Sequence, residues 1–373
     1  MNYILQIRFR SIPYICFVNH PLTFYRFVMN IKKIIFLFSF SSFACMLGGT
    51  FLSSCGDNGK QNSKVNYDSL PADLRTLFEK IDKDPANGTL YFDRAEYYFG
   101  HKKINEALAD MKKASELDPN NVKFHVRLSD YYFASNLTRG TRDELVKVTQ
   151  IDPKNNEALL KLGELYYLVK NYDTAVFYIN RSISIEPENA KAYFEKGMAL
   201  KEVGDSINAA AAFQSAVEKN TKYFDAYIQL ANLYGAHKDK LAIQYYNNAL
   251  KLDSNSKDAL YGLGLFYQNA GAVADARATY AHLLRVDPKN AYAVYNQGYL
   301  ALVLENKPKD AIAFFEKALL IAPEYADAVY MRGLCFEKLG DKKKAAADYN
   351  SALIIEPEHQ LSIKGLQRLA GKK

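Results

Sequence analysis

Cysteine is scarce in this chain of 373 residues, which contains only four. Cys16, Cys45 and Cys55 lie near the start of the chain, and Cys335 alone lies beyond them. One thiol cannot form an intrachain disulfide, and no Cys/His spacing in the sequence resembles a zinc site. We therefore expect Cys335, inside MRGLCFEKLG, to be a small buried hydrophobic residue rather than a reactive thiol.

Acidic residues are absent between Met1 and Cys55, a segment that carries five Lys and Arg residues. Without these five, the chain has 43 of its 48 basic residues and all 41 acidic ones, so the formal net charge falls from +7 to +2. Binding to a phosphate backbone requires clustered positive charge. The nearly neutral remainder therefore predicts no nucleic-acid partner.

Catalytic motifs are missing as well. The six histidines are spread along the chain without an H-E-x-x-H or other paired spacing. There is no Gly-rich phosphate loop and no G-x-S-x-G elbow. An enzyme would need a catalytic constellation that this sequence lacks, so we expect no catalytic residue, no metal and no cofactor. His125 stands at a position that is otherwise bulky and apolar, and we expect it to be packed rather than catalytic.

The N-terminal region is laid out like a secretory signal that begins at Met29. The basic stretch MNIKK precedes the apolar run IIFLFSFSSFACMLGGTFL, and the small residues of SSC follow. The sequence LSSC at 52–55 resembles the lipobox of bacterial lipoproteins, in which the cysteine receives a lipid and becomes the new N-terminus. An uncleaved membrane-spanning helix with an incidental cysteine is the alternative, since about 18 apolar residues suffice to span.

The likeness to lipoproteins divides the N-terminal region into three parts. Residues 29–54 are expected to be the signal peptide, and Cys55 is expected to carry fatty acyl chains such as palmitate as a membrane anchor. Residues 1–28 lack acidic residues and a clear hydrophobic periodicity. We interpret them as an N-terminal extension that is not translated, with translation beginning at Met29. Residues 55–70 are polar and rich in Gly, Asn and Ser, which predicts a flexible tether. Because Gly56 rather than Asp follows the cysteine, the resemblance favours the outer membrane facing the periplasm over the inner membrane or the cell surface.

Prolines recur at a nearly constant spacing along the rest of the chain. They are Pro85, Pro119, Pro153, Pro187, Pro288, Pro323 and Pro357. The first four are evenly spaced, and the long gap after Pro187 holds two more boundaries, at Thr221 and Ser254, where the proline is lost. This periodicity predicts eight units of about 33 to 35 residues each.

Every unit has the same internal pattern when its closing proline is numbered position 32. Position 8 is always small, as in Gly197 and Gly264, and position 24 is always bulky, as in Phe213 and Tyr280. Position 20 is alanine in all units except the second, where Thr141 replaces it. This register resembles that of the tetratricopeptide repeat family over roughly residues 71–373. Together with the lipobox, it is similar to bacterial lipoproteins that carry such repeats.

The tetratricopeptide resemblance implies an all-α, right-handed superhelical solenoid of antiparallel helix pairs, A and B. We expect about eight units, an N-terminal half repeat in LPADLRTLFEKIDKDP and a C-terminal cap helix at 360–373. The expected units span approximately 88–121, 122–155, 156–189, 190–223, 224–256, 257–290, 291–325 and 326–359.

In this family helix A lines a concave groove, and positions 2, 5, 9, 12 and 13 face a ligand. The resemblance therefore assigns a protein-binding groove to a set of apolar and aromatic side chains. They are Phe92, Phe99, Val126, Phe133, Leu160, Tyr167, Phe194, Met198, Ile228, Tyr261, Leu265, Tyr292, Tyr295, Tyr299 and Tyr330. An exposed strip of this kind is typical of a peptide-binding surface. The alternative is that these residues are partly covered by their own neighbours and serve packing.

The expected function is that of a non-enzymatic, membrane-anchored scaffold or adaptor in the bacterial cell envelope. It binds partner proteins or extended peptides in the groove, with no nucleic acid and no small-molecule cofactor. The alternative function is a self-assembling structural scaffold, or an accessory subunit of an envelope assembly or secretion machine.

Overall fold

The computed structural model describes residues 70–371, and the regular structure in that range is helical throughout. Eighteen α-helices and one turn of π-helix follow one another without a strand between residues 70 and 371. The helices are α1 Ala72–Lys83, α2 Gly88–Gly100, α3 Ile104–Leu117, α4 Val122–Ala134, α5 Thr138–Ile151, α6 Asn156–Leu168, α7 Tyr172–Ile185, α8 Ala190–Glu202, α9 Ser206–Lys219, α10 Phe224–Ala236, α11 Leu241–Leu252, α12 Lys257–Asn269, α13 Val273–Val286, α14 Ala291–Tyr299, α15 Pro308–Ile321, α16 Ala326–Lys338, α17 Lys342–Ile355 and α18 Gln360–Leu369. The predicted extension, signal peptide and Cys55 lie outside the described residues.

Each helix packs on the next one in the chain, from α1 to α18. The even-numbered helices α2 to α16 are the A helices of units 1 to 8, and the odd-numbered helices α3 to α17 are the B helices. Successive A helices also touch each other directly, as α6 touches α8 and α10 touches α12. We call the surface formed by the row of A helices the A face. The predicted all-α solenoid of helix pairs is therefore confirmed.

None of these helices is long and apolar enough to cross a membrane, within the range 70–371.

The turns between units begin the A helices with a repeated capping device. Asparagine at position 34 accepts a hydrogen bond on its side-chain oxygen from the backbone N–H two or three residues later. This cap is present at Asn87, Asn121, Asn155, Asn189 and Asn290. In the first turns the same asparagine also donates to the preceding aspartate, as Asn121 does to Asp118 over 2.9 Å. Proline at position 32 ends the B helix because it has no N–H to continue the ladder.

The turns inside units reverse direction through one residue in the left-handed region. That residue has φ of +60° at Lys102 and +62° at Lys170, and it is a glycine in three of the units, as at Gly204 with φ of +82°. Glycine adopts this conformation without the steric penalty of a Cβ atom. The intra-unit turn is therefore a matter of backbone geometry, whichever side chain it carries.

The core of each unit is a small residue on helix A set against a bulky side chain on helix B. A Cβ atom added at Gly197 would lie 2.6 Å from the ring of Phe213, and one at Gly264 would lie 2.6 Å from the ring of Tyr280. Both rings are completely buried. A side chain at position 8 that is small or absent lets the two helices approach closely enough to enclose the bulky side chain at position 24.

Two units depart from the regular length, and the structure absorbs each departure within a helix. Unit 7 has one extra residue, and α14 continues into a turn of π-helix at Leu300–Leu304, closed by a bond from Glu305 N–H to Leu300 O. Arg277 of α13 holds this turn by contacting Glu305 over 2.5 Å. Unit 5 is one residue short, and its B helix α11 has 12 residues, whereas the B helix of unit 4 has 14.

The first and last units carry a bidentate Arg–Asp pair between their two helices. Arg94 donates to both carboxylate oxygens of Asp110 over 2.6 and 2.7 Å, and Arg332 donates to both oxygens of Asp348 over 2.9 and 2.8 Å. Both arginines stand at position 7 and both aspartates at position 23 of their units. Fork-to-fork pairs of this kind hold geometry well. They therefore join the helices of the two units that have a full neighbouring unit on one side only.

Replacing Gly197 by alanine tests the packing of the core. We expect Gly197→Ala to lower the free energy of unfolding by about 1–3 kcal/mol, because the added methyl overlaps the buried ring of Phe213. Gly100→Ala is the matched control, since nothing lies within 4 Å of that position and alanine suits a helix better than glycine. Urea unfolding midpoints measure both, and equal midpoints for the two variants would contradict the packing described.

Candidate functional site

The structure separates the fifteen predicted groove residues into three groups. Four are buried: Phe92, Val126, Leu160 and Tyr330. Nine are partly buried: Phe99, Tyr167, Phe194, Met198, Ile228, Tyr261, Leu265, Tyr295 and Tyr299. Only Phe133 and Tyr292 are exposed, at 42% and 59%. The expected continuous exposed strip is therefore wrong for the four buried residues, while a partner contact at the others stays a prediction.

At position 5, aromatic side chains pack between one unit and the next. The ring of Phe194 lies 5.5 Å from that of Phe213 on its own B helix and 5.0 Å from that of Tyr223, just before the next unit. Tyr295 repeats this arrangement with Phe315 at 5.6 Å and Tyr325 at 5.0 Å. An apolar ring at this position fills the space between two layers, so these rings contribute to the packing of the solenoid.

Unit 8 uses position 5 in the same way. The ring of Tyr330 stacks on that of Tyr349 with centroids 5.4 Å apart, and the ring of His359 lies 5.5 Å away. His359 also begins α18 by accepting from the Ser362 N–H, and its Nε2 lies 3.1 Å from Asp327. The C-terminal cap helix is thus joined to unit 8 through the residue that follows the last proline-containing turn.

A cluster of tyrosines on the A face of units 7 and 8 keeps one ring in solvent. Tyr292 packs edge-on against Tyr325 with centroids 5.4 Å apart, and Tyr325 in turn packs against Tyr295. We call Tyr292, Tyr295, Tyr325 and Asp327 the tyrosine patch. Burial and the nearby Asp327 carboxylate raise the pKa values of Tyr295 and Tyr325 well above the usual range. These hydroxyls therefore remain protonated at neutral pH.

The A face of units 1 to 3 is instead crossed by ion pairs between adjacent A helices. Arg127 of α4 donates to both carboxylate oxygens of Glu96 on α2, over 2.8 and 2.7 Å. Lys161 of α6 contacts Asp130 of α4 over 2.6 Å. Each rung joins position 9 of one unit to position 6 of the next, 31 residues along the chain. We call these pairs the charge ladder.

The ion pairs of the charge ladder end at unit 3, and charged residues at positions 9 and 6 end at the interface between units 3 and 4. From Met198 and Gln229 onward, the residues at positions 9 and 6 are neutral in every pair. Gln229 accepts a hydrogen bond from Lys201 over 2.9 Å, and Asn232 accepts one from the hydroxyl of Tyr246 over 2.7 Å. The prediction from sequence concerned positions 2, 5, 9, 12 and 13 and missed position 6, although the alternation of sign at this fixed spacing is visible in the sequence. At positions 6 and 9, the A face thus has a charged N-terminal half and a neutral C-terminal half.

Side chains that could hold a metal ion were sought within residues 70–371. No cluster of three His, Cys, Asp or Glu residues forms in this part of the chain. His125 is buried, with Nδ1 2.6 Å from Glu144 and Nε2 2.9 Å from the carbonyl oxygen of Pro119, as expected for a packed histidine. Cys335 is free and fully buried, and burial raises the pKa of its thiol to about 12. Its predicted role as a buried hydrophobic residue is confirmed.

Comparison with known protein families gives one consistent result. Three sequence profiles, each described as a tetratricopeptide repeat, match residues 240–295, residues 306–359, and the three segments 88–121, 157–189 and 190–220. Together the matches cover more than half of the chain.

Two proteins are similar in sequence to part of this chain. The human protein O-mannosyl-transferase TMTC3 is 25% identical over 191 residues, which is 50% of this chain and 20% of that protein. A TPR repeat-containing protein from Methanocaldococcus jannaschii is 26% identical over 257 residues, which is 55% of this chain and 45% of that protein. The matches therefore span less than half the length of either relative.

A solved structure shows the same architecture. It is the C-terminal part of a TPR repeat-containing protein from Cytophaga hutchinsonii, with a TM-score of 0.57 and 21% identity. The match covers 64% of this chain and 98% of that one. The likeness concerns the fold alone.

Two tyrosines of the A face should respond differently to truncation. We expect Tyr330→Ala to lower the free energy of unfolding by about 3–5 kcal/mol, because a buried ring stacked on Tyr349 leaves a cavity. Tyr292→Ala should cost at most about 1 kcal/mol, since its ring is mostly in solvent and loses one edge-on contact. Denaturant titration of both variants checks this, and equal losses would show that Tyr292 is also a core residue.

Proposed function

The chain belongs to the tetratricopeptide repeat family, and we propose that it is a non-enzymatic scaffold that binds a partner protein or an extended peptide on its A face. The tyrosine patch of units 7 and 8 is the proposed centre of contact. A repeat solenoid offers a long continuous surface rather than an enclosed pocket, which suits an extended partner. Family membership supports protein binding in general, and the partner itself is part of the proposal.

The exposed ring of Tyr292 is the observation that carries this proposal. Tyr292 is 59% exposed, yet the ring of Tyr325 contacts its ring from one side, and Tyr325 in turn packs against Tyr295. A rigid, amphipathic ring loses little conformational entropy on binding, which is why tyrosine is enriched at the energetic centres of interfaces. The charge ladder is a less suitable contact for a partner, because its acidic and basic side chains are already paired with one another.

The protein is proposed to act in the bacterial cell envelope, held at a membrane by lipid on Cys55. The support is the sequence alone, in the order of basic, apolar and small residues before that cysteine. The polar residues 55–70 would then tether the solenoid to the outer membrane on its periplasmic side. Anchoring concentrates the A face at one surface, so a weak contact with another envelope protein becomes effective.

No transferase activity is proposed from the likeness to the O-mannosyl-transferase. The match covers only 20% of that protein and half of this chain, whose described residues form helical repeats. Self-assembly into a structural scaffold, or a role as an accessory subunit of an envelope machine, remains the competing proposal for the same surface.

Replacing Tyr292 tests the proposed contact. We expect Tyr292→Ala to weaken the capture of cross-linked envelope partners at least about tenfold while leaving the unfolding midpoint nearly unchanged. Phe177→Ala is the matched control, because that residue is 55% exposed but lies on the B helix α7. Capture that is equal in both variants would exclude the tyrosine patch. Concentration-dependent light scattering that Tyr292→Ala abolishes would instead favour self-assembly.

Replacing Cys55 tests the proposed anchor. We expect Cys55→Ser to move the protein from the membrane fraction to the soluble fraction, because the serine hydroxyl cannot take the thioether-linked lipid. Cys45→Ser is the control, since that cysteine lies within the apolar run ahead of the proposed cleavage point. Fractionation followed by an alkaline wash measures both variants. Retention of Cys55→Ser in the washed membranes would favour an uncleaved spanning segment.

A further inference from the structure

The third rung of the charge ladder breaks its rule. Positions 9 and 6 hold Glu96 with Arg127 at the first interface and Asp130 with Lys161 at the second. At the third interface, between units 3 and 4, the same two positions hold two glutamates, Glu164 on α6 and Glu195 on α8. Repeat symmetry therefore places two carboxylates where the preceding interfaces have a carboxylate and a base. Helices α6 and α8 are in direct contact.

The basic residue available at the third rung serves only one of the two acids. Lys191, one turn before Glu195 on α8, places its Nζ 2.5 Å from Glu164. Within residues 70–371, no hydrogen bond or ion pair joins the Glu195 carboxylate to another side chain. Glu195 is partly buried and therefore has lost some of its hydration without gaining a bonded partner.

The other groups around Glu195 add negative charge or none. Tyr223, in the turn between α9 and α10, lies close enough for burial and the carboxylates of Glu195, Asp225 and Glu164 to raise its pKa above the usual range. Tyr223 is thus a neutral neighbour at physiological pH, and Asp225 at the start of α10 is a further acid. Among the described residues, Lys191 supplies the positive charge that acts on Glu195, from its own helix.

We propose that the Glu164–Glu195 rung is a proton-sensitive joint between units 3 and 4. With Glu195 protonated, its carboxyl group is neutral and can donate a hydrogen bond to the Glu164 carboxylate, which closes the rung. When Glu195 releases that proton to solvent, two negative charges face each other across the interface, and the contact between α6 and α8 weakens. This inference does not depend on the partner-binding proposal.

The direction of the pH dependence follows from how Glu195 titrates. Burial, followed by the charge of Glu164, raises the pKa of Glu195 to about 7, and Lys191 opposes this shift. In the unfolded chain the same group has a pKa near 4.5. Between these two values the folded state binds more protons than the unfolded state, so stability falls as pH rises. The stabilising contribution is complete below about pH 4.5 and is lost once the pH passes about 7.

Unfolding midpoints at pH 5.5 and pH 8.0 test the proposal with the full chain. We expect the thermal unfolding midpoint of the wild type to be lower at pH 8.0 than at pH 5.5. Glu195→Gln should reduce this difference by about 2–4 °C, because glutamine stays neutral at both pH values. Glu195→Lys should go further and raise the midpoint at pH 8.0 above that of the wild type, since it completes the rung with an opposite charge. Glu202→Gln is the matched control, an exposed acid on the same helix, and it should keep the wild-type fall.

Hydrogen exchange locates the effect. After correction for intrinsic rates, peptides from α6 and α8 should open more readily at pH 8.0 than at pH 5.5 in the wild type but not in Glu195→Gln, while units 6 to 8 stay unchanged. Glu164→Gln provides the same test from the other side of the rung and serves if a Glu195 variant fails to fold. The proposal would be overturned if the midpoints of Glu195→Gln and Glu164→Gln dropped from pH 5.5 to pH 8.0 as much as the wild-type midpoint does.

Discussion

The close approach of helix A to helix B, across a position that holds only glycine, alanine or serine, is the constraint on which this solenoid depends. A glycine such as Gly197 or Gly264 lets a ring on the B helix lie directly against the backbone of the A helix, and the ring is then fully enclosed. A single helix pair cannot bury the apolar faces that point away from its own interface, so the next unit must cover them. The spacing between units follows from this requirement, and so does the placement of side chains on the A face.

That spacing explains why the A face carries two kinds of chemistry. Side chains at position 5 are pressed between successive units, and Phe194 and Tyr295 take the same role there although they belong to units 4 and 7. Positions 6 and 9 lie where adjacent A helices meet, so they report on how neighbouring units are joined. Charged rungs join the N-terminal units, whereas the residues at these positions are neutral in the C-terminal ones. The surface that remains for a partner is what these contacts leave uncovered, and Tyr292 is its most exposed aromatic ring.

Much of this fold could be predicted from the sequence because proline and small residues act locally. Proline at position 32 ends a helix whatever surrounds it, and the small residue at position 8 recurs in all eight units. The exposure of individual rings could not be predicted, because it depends on side chains that lie far away in the sequence: the ring of Tyr330 is covered by those of Tyr349 and His359, while Tyr292 contacts the edge of Tyr325 and stays exposed. The π-helical turn at Leu300–Leu304 was also out of reach, since an extra residue can be accommodated in a loop or in a helix. The charge ladder joins side chains of different units and becomes visible only when the repeat register is read across two of them.

The central claim is that Tyr292, the most exposed aromatic residue of the A face, meets the partner while the enclosed rings hold the units together. Site-specific photo-cross-linking in living cells tests this most directly, with a photoreactive phenylalanine placed at position 292 and, separately, at position 177 on a B helix. We expect a discrete cross-linked partner from position 292 and none from position 177. Cross-links that arise equally from both positions, or only from 177, would contradict the claim.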